Sequence, residues 1–303
     1  MHSYLRTLET MLNNIKHFHV CCDGSFGNRY SGLIGGLTLA RLAGLPATVS
    51  WPSTNMCRAL WDDIFQPLDI DVVDWRLKEF YEHASRYDFI SVNDQHMNFF
   101  GNPKCADPAS LNLESFIDYV TNSTKNIFYY TPLHYDWIPE KEIQATIRKL
   151  QFSDSIMQEV NNFLKDNKLE GGYYGCHFRM TDFVNIESFD IDHWIHVVKR
   201  SADQKFFICS DDPATEARFN ELPNAFSYPK KHETTKFIPE GGWQHPYTDG
   251  DGRHSVFNVE RGTEHVKEAV VDFLLLSMSR PFDTGRHSTF LKMAKVVRDA
   301  WNG

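Results

Sequence analysis

From His17 to Trp51 the chain reads strand, Gly-rich turn, helix, strand, and this order constrains the fold more than any other feature. His17–Cys22 is a short apolar run of strand character. Asp23-Gly24-Ser25-Phe26-Gly27-Asn28-Arg29 follows, then a helical spacing of Leu33, Leu37, Leu39, Leu42 and Ala43 that Gly44 and Pro46 stop. Ala47–Trp51 is again a strand. Parallel strands need a long crossover, which a helix supplies, so this opening predicts an α/β domain. Further strands are expected at Asp69–Val73, Asp88–Val92 and Asn126–Tyr130, and helices at Pro139–Leu150 and from Ser153 to about Lys168.

The alternation then repeats. Tyr173–Phe178 is a strand, Asp190–Ala202 a helix and Lys205–Cys209 a strand. A helix after Pro213 and a short strand near Phe226 follow. The polar, Gly-rich run from Pro229 to Gly262 has no period and is expected to be a functional loop. A long helix (Thr263–Ser279), a short extended piece and a last helix (Ser288–Trp301) close the chain. A chain of 303 residues exceeds what one core usually organises. Two α/β domains are therefore expected, at 1–165 and 166–303, with the last helix packing back on the first.

Composition narrows the partners. The net charge of −9 argues against nucleic acid as the main partner but leaves room for a local basic pocket that holds one small anion. The six cysteines form no CxxC pair, and a reducing compartment is the simpler reading. Leu5, Leu8, Met11, Leu12 and Ile15 space as a helix face, not as a signal sequence, and no run reaches the ~18 apolar residues that span a bilayer. A soluble, cytoplasmic protein with no membrane span is expected, or a fragment cut away from an anchor.

The chemistry concentrates after the Tyr173 strand. His177, Arg179, Thr181 and Asp182 stand at or just past its carboxyl end, the edge where open α/β sheets bind ligands. Arg179 carries a rigid fork of donors that suits phosphate, although pairing with Asp182 would explain it structurally. Lys205–Cys209 delivers Ser210, Asp211 and Asp212 to the same edge, where capping ahead of Pro213 is the simpler role. Asp272 sits on an apolar helical face with Ala269, Leu275 and Leu276 and needs a partner, either structural or a ligand with two adjacent N–H groups such as guanine. Ser288 is a natural N-cap for the last helix, and the free N–H groups there suit a phosphate. The turn at Gly27, Asn28 and Arg29 is either a tight turn or a row of N–H groups facing a ligand. It is not a Walker A loop, because Leu33 stands where Lys is required, and GxGxxG is absent. No calcium loop, zinc spacing or covalent-hydrolase signature is present, so no metal is expected.

Taken in order, His177-x-Arg179-x-Thr181-Asp182, Ser210-Asp211-Asp212-Pro213, Glu268-Ala-Val-Val-Asp272 with Ser277, and His287-Ser288-Thr289-Phe290 resemble the fucosyltransferase-like superfamily of GT-B glycosyltransferases. The α-1,6-fucosyltransferases of core N-glycan and rhizobial nodulation type fit best, the protein O-fucosyltransferases more remotely. The likeness covers about 171–294. Gly27-Asn28-Arg29 and Val49-Ser50-Trp51-Pro52 are similar to the family's opening.

The resemblance implies a GT-B-like fold, two Rossmann-like α/β domains facing across a cleft. It implies an inverting, metal-independent transfer of fucose from GDP-fucose to a glycan hydroxyl. Arg179 would hold the β-phosphate, His177 and Asp272 would address guanine, Ser288 and Thr289 would face phosphate, and Glu187 would be the base. The α-1,6 members have a second Arg where this chain has Met180. Arg29, Lys231, Arg261 and Arg286 are the candidates to replace it. The alternatives are a GT-B transferase that uses another nucleotide sugar, a non-catalytic binder of sugar nucleotide or glycan, and a phosphohydrolase built on His177 and Arg179.

Overall fold

The computed structural model describes residues 16–75, 84–91, 105–131, 136–180, 190–231, 247–248, 254–255, 260–281 and 288–303. The chain divides into two compact units. The first spans residues up to Gly24, Asn28–Pro52 and Leu68–Lys149; the second spans Ser25–Gly27, Ser53–Pro67 and Leu150–Gly303. The expected N-terminal helix lies outside the described residues.

In the first unit, β1 (Phe18–Cys21) leads into α1 (Phe26–Leu42), β2 (Ala47–Ser50), β3 (Asp71–Val73), β4 (Tyr87–Ser91) and β5 (Cys105–Ala106). The short helix α2 (Trp61–Ile64) belongs to the second unit; α3 (Leu113–Asn122), β6 (Asn126–Tyr130) and α4 (Glu140–Lys149) complete the first. The six strands form one sheet in the order β3-β2-β1-β6-β4-β5, every pair parallel. Alternation splits the strands. Phe18 meets Tyr129 and Phe116 on one side, while Cys21, Phe89 and Phe128 share a cluster with Tyr87 on the other. Gly36 lets α1 lie on β1, since a Cβ there would come within 2.5 Å of a Val20 methyl.

The second unit holds α5 (Asp154–Asp166), β7 (Tyr174–Phe178), α6 (Ile191–Arg200), β8 (Phe206–Ser210), α7 (Pro213–Asn220) and β9 (Ala225–Phe226). A two-stranded antiparallel pair follows, β10 (Tyr247–Thr248) with β11 (His254–Ser255), then α8 (Thr263–Met278), β12 (Arg280–Pro281) and α9 (Thr289–Asn302). Its sheet runs β12-β7-β8-β9, all parallel. One face presents Cys176, Phe178, Phe206 and Ile208 to Ile191 and Val198 of α6 and Phe219 of α7. The opposite face presents Tyr173, Gly175, Phe207 and Cys209. Tyr173 donates its hydroxyl to the Leu275 carbonyl at 2.7 Å, and Phe207 packs edge-on to Phe163 of α5. This face therefore rests on α5 and α8.

Ile156, Val160 and Phe163 of α5 are buried, and Phe163 packs on Phe207, so α5 belongs to the second unit; α9 does too. Cys21, Cys22, Cys176 and Cys209 are buried thiols. Among the described residues no helix is long and apolar enough to cross a membrane.

At Gly175 the sheet lies against the end of α8: a Cβ there would run into the Ser279 side chain, 2.8 Å from its Cβ, and would come within 3.2 Å of a Leu276 methyl. Gly175→Ala should cost about 1–3 kcal/mol, the scale of core overpacking. Thermal unfolding checks it, and an unchanged Tm would show that α8 can move aside.

Candidate functional site

The site builds from the carboxyl edge of the second sheet. Phe178 and Ser210 are register partners at the ends of β7 and β8, so the residues after them emerge side by side. Arg179 is half-buried just beyond β7. Asp211 accepts the Met180 N–H at 2.5 Å, which ties the two strand ends together. Ser210 donates its hydroxyl to the Phe178 carbonyl at 2.8 Å and accepts the Asp212 N–H at 3.1 Å. Asp212 caps α7, accepting from Thr215 N at 2.9 Å and from Ala214 N at 3.3 Å. Ser210 and Asp212 thus shape the edge through their own hydrogen bonds.

His177 and Cys209 are register partners on the face toward α8. His177 is 5% exposed and stacks on Phe290 of α9 with ring centroids 5.6 Å apart. Burial, with Arg179 and Lys230 nearby, lowers its pKa to about 3, so the imidazole is neutral throughout the physiological range. Phe290 packs in turn on Phe273 of α8, and Phe26 reaches the same ring. Gly27 permits this approach, because a Cβ there would come within 3.1 Å of the Phe290 backbone. Ser288 caps α9 by accepting the Leu291 N–H at 3.1 Å, and Thr289 is the first residue of that helix.

Behind His177 lies a buried ionic cluster. Asp272, 3% exposed on α8, accepts through Oδ2 from Lys230 Nζ at 3.0 Å and from the Cys209 thiol at 3.5 Å. Its Oδ1 is buried and has no hydrogen-bond partner among the described residues. Lys230 also donates to Glu216 Oε1 of α7 and to the Ser210 carbonyl at 3.2 Å, and Glu216 Oε1 accepts the Ser210 N–H at 2.8 Å. Next to it, Glu268 accepts the Lys231 N–H at 2.9 Å.

One ammonium therefore serves two buried carboxylates. Burial lifts Glu216 to about 7, although Lys230 pulls the other way, and burial raises Asp272 against the same cation. Burial opposes the charge on Lys230, but the carboxylates of Asp272 and Glu216 outweigh it and hold its pKa above the ordinary lysine value. The Cys209 thiol is raised well above its ordinary range by burial and by Asp272, so it is a donor and not a nucleophile.

No protein-family model matches the sequence, and no curated protein matches it. Solved structures do. The chain is similar to the NodZ α-1,6-fucosyltransferase soaked with GDP-fucose, with a TM-score of 0.60 and 14% identity over 93% of this chain and 92% of that one. The Bradyrhizobium fucosyltransferase NodZ gives a TM-score of 0.56 and 13% identity over 93% and 92%. POFUT1 in complex with GDP-fucose gives 0.50 and 13% over 94% and 95%. The fold is that of the fucosyltransferases.

On this fucosyltransferase-like, GT-B-type α/β scaffold, His177, Arg179, Ser210, Asp211 and Asp212 gather at one sheet edge, and Asp272, Ser288 and Phe290 come from the two helices beside it. Met180 stands where the resemblance has a second Arg. Its side chain packs against the core that holds Cys176 and Phe178, so an apolar contact replaces a charge there.

Arg29 lies in the first unit and is fully buried. It donates to the Gly24 carbonyl at 2.8 Å and the Pro52 carbonyl at 2.7 Å, and lies over the Trp51 ring. Its fork holds the turn that Asn28, half-buried, helps to form. That local commitment takes it out of the candidates for the second phosphate charge. Lys231 is exposed, and Arg261 is half-buried with its backbone bonded to Asn55 and Arg58. Thr181, Asp182, Glu187, Arg286 and His287 lie outside the described residues. Lys230 and Glu216 were not among the residues expected from the sequence. The need of Asp272 for a partner was the signal for a cation, but nothing in the sequence said which one.

Proposed function

We propose that this chain is a glycosyltransferase that moves fucose from GDP-fucose to a glycan hydroxyl, with inversion and without a metal. The observation that carries the reading is Asp272, a carboxylate buried in an apolar helix with one oxygen unpartnered among the described residues, bonded to Cys209, the register partner of neutral His177. A nucleobase N–H would meet that oxygen, and an unpartnered buried acceptor costs about 1–3 kcal/mol until it is met. The GDP-fucose carried by NodZ and POFUT1 on the same fold supports the choice of ligand.

Bond by bond, the acceptor oxygen bonds to C1 of the sugar as the bond from C1 to the β-phosphate oxygen breaks. The bonding pair leaves with GDP, and Arg179 stabilises the charge that grows there. The hydroxyl proton goes to a general base, for which Glu187 is the nominee. Fixed cationic donors can supply the stabilisation that a metal gives elsewhere. Ser288 and Thr289 would offer the N-terminus of α9 to the second phosphate.

Incubating the whole chain with a panel of GDP and UDP sugars, with and without EDTA, tests this. GDP-fucose turnover that survives chelation is expected. Turnover of a UDP sugar instead favours the second reading, a transferase for another nucleotide sugar, which the Lys230 contact on Asp272 also favours. GDP binding without hydrolysis or transfer would point to a non-catalytic relative, consistent with Met180.

A further inference from the structure

The cluster around Lys230 limits how the site can read a base. An ammonium has three N–H donors. Those of Lys230 go to Glu216 Oε1, to Asp272 Oδ2 at 3.0 Å and to the Ser210 carbonyl at 3.2 Å. None is left for a ligand. Asp272 Oδ2 also takes the Cys209 thiol at 3.5 Å, so its acceptor capacity is filled by this chain's own groups. Only Oδ1, without a hydrogen-bond partner among the described residues, remains. Guanine presents two adjacent donors, N1–H and the 2-amino group, and two oxygens of a free carboxylate would meet both.

We infer that Lys230 sets the base selectivity of this site: by occupying one oxygen of Asp272 it leaves a single acceptor, so the site reads one N–H of the base and ignores the guanine 2-amino group. The inference rests on the nucleotide-binding reading above. Lys230 acts through Asp272 as a positioning residue and touches no reacting atom. Glu216 completes the arrangement, because it and the Ser210 carbonyl take the other two donors of the ammonium.

A hydrogen bond to a charged acceptor is worth roughly ten- to a hundredfold in affinity, so the number of N–H groups read is measurable. Calorimetric titration of the whole chain with GDP and with inosine diphosphate, which lacks only the 2-amino group, gives the ratio. Values of Kd within about threefold of each other are expected. A preference for GDP of about tenfold or more overturns the inference while leaving nucleotide binding intact. Absence of GDP binding would instead remove the nucleotide reading itself, and this one with it.

A second arm uses the Lys230→Met, Glu216→Gln double variant at pH 8, which removes one cation together with one of its two carboxylates. With Lys230 gone, Oδ2 keeps only the Cys209 thiol and can accept a second base N–H, so the GDP preference should rise to about tenfold. A ratio that stays near one in a folded double variant means that Asp272 does not read the base, and refutes the proposal. Should the double variant not fold, the ratio in the unmodified chain decides alone.

Discussion

Arg179→Ala is expected to lower kcat roughly 10²–10³-fold, the scale for removing one preorganised donor from a developing anion. Arg179 follows directly on a buried strand whose last residue, Phe178, is locked in register with Ser210, and Asp211 anchors the next N–H. The guanidinium is thus carried on a rigid base at the edge where the ligand's phosphates are proposed to lie. Its half-buried setting weakens solvent screening and strengthens each hydrogen bond it makes. Because the leaving phosphate gains charge only as the sugar departs, kcat should fall more than KM rises. Arg179→Lys, which keeps the charge but loses the planar fork, should recover only part of the rate. Steady-state transfer kinetics measure both. Near-normal turnover in the alanine variant would leave Arg179 as a strand-end cation with no part in the reaction.

The strands were the most legible part of the chain. Phe18–Cys21, Asn126–Tyr130, Tyr174–Phe178 and Phe206–Ser210 are apolar, β-rich runs with sharp boundaries, and local sequence is enough to define them. Cys105–Ala106 is two residues long and carries no period, so its place at the sheet edge comes only from pairing with Phe89 and Ile90. The grouping of Ser53–Pro67 with the second unit was also illegible. It depends on contacts such as the Phe65–Phe152 bridge and the bond from Arg58 N to the Arg261 carbonyl, which join residues far apart in the chain. At the candidate site, Asp272 stood out because a carboxylate on an apolar face needs an explanation. Its partner did not stand out, since Lys230 looked like the start of a polar loop and Glu216 like an ordinary residue of a helix. A constellation assembled from two helices, a strand end and a loop leaves no spacing to read.

Lys230→Met should destabilise the chain by about 3–5 kcal/mol at pH 8, the cost of leaving buried charge without its partner. The effect should shrink on acidification, and the sign follows from the carboxyls. Glu216 titrates at about 7 in the folded chain, above its ordinary 4.5, so the stability it contributes is fully present below about 4.5 and is lost as pH rises through 7. Asp272 is shifted in the same direction. The lysine works the other way round: its pKa is raised, so its stabilisation is complete across this whole range and falls away only in strong alkali. Removing the cation therefore leaves two carboxyls that each take up a proton on folding, and the variant should regain at least half of the lost stability between pH 8 and pH 5. Glu216→Gln supplies the converse: it removes one of the two raised carboxyls, so its stability should fall less steeply between pH 5 and 7 than that of the unmodified chain. Chemical unfolding at pH 5 and pH 8 measures all three. A Lys230→Met loss that is equal at both pH values would mean that the lysine contributes packing rather than charge, and that Asp272 and Glu216 are already protonated in its presence.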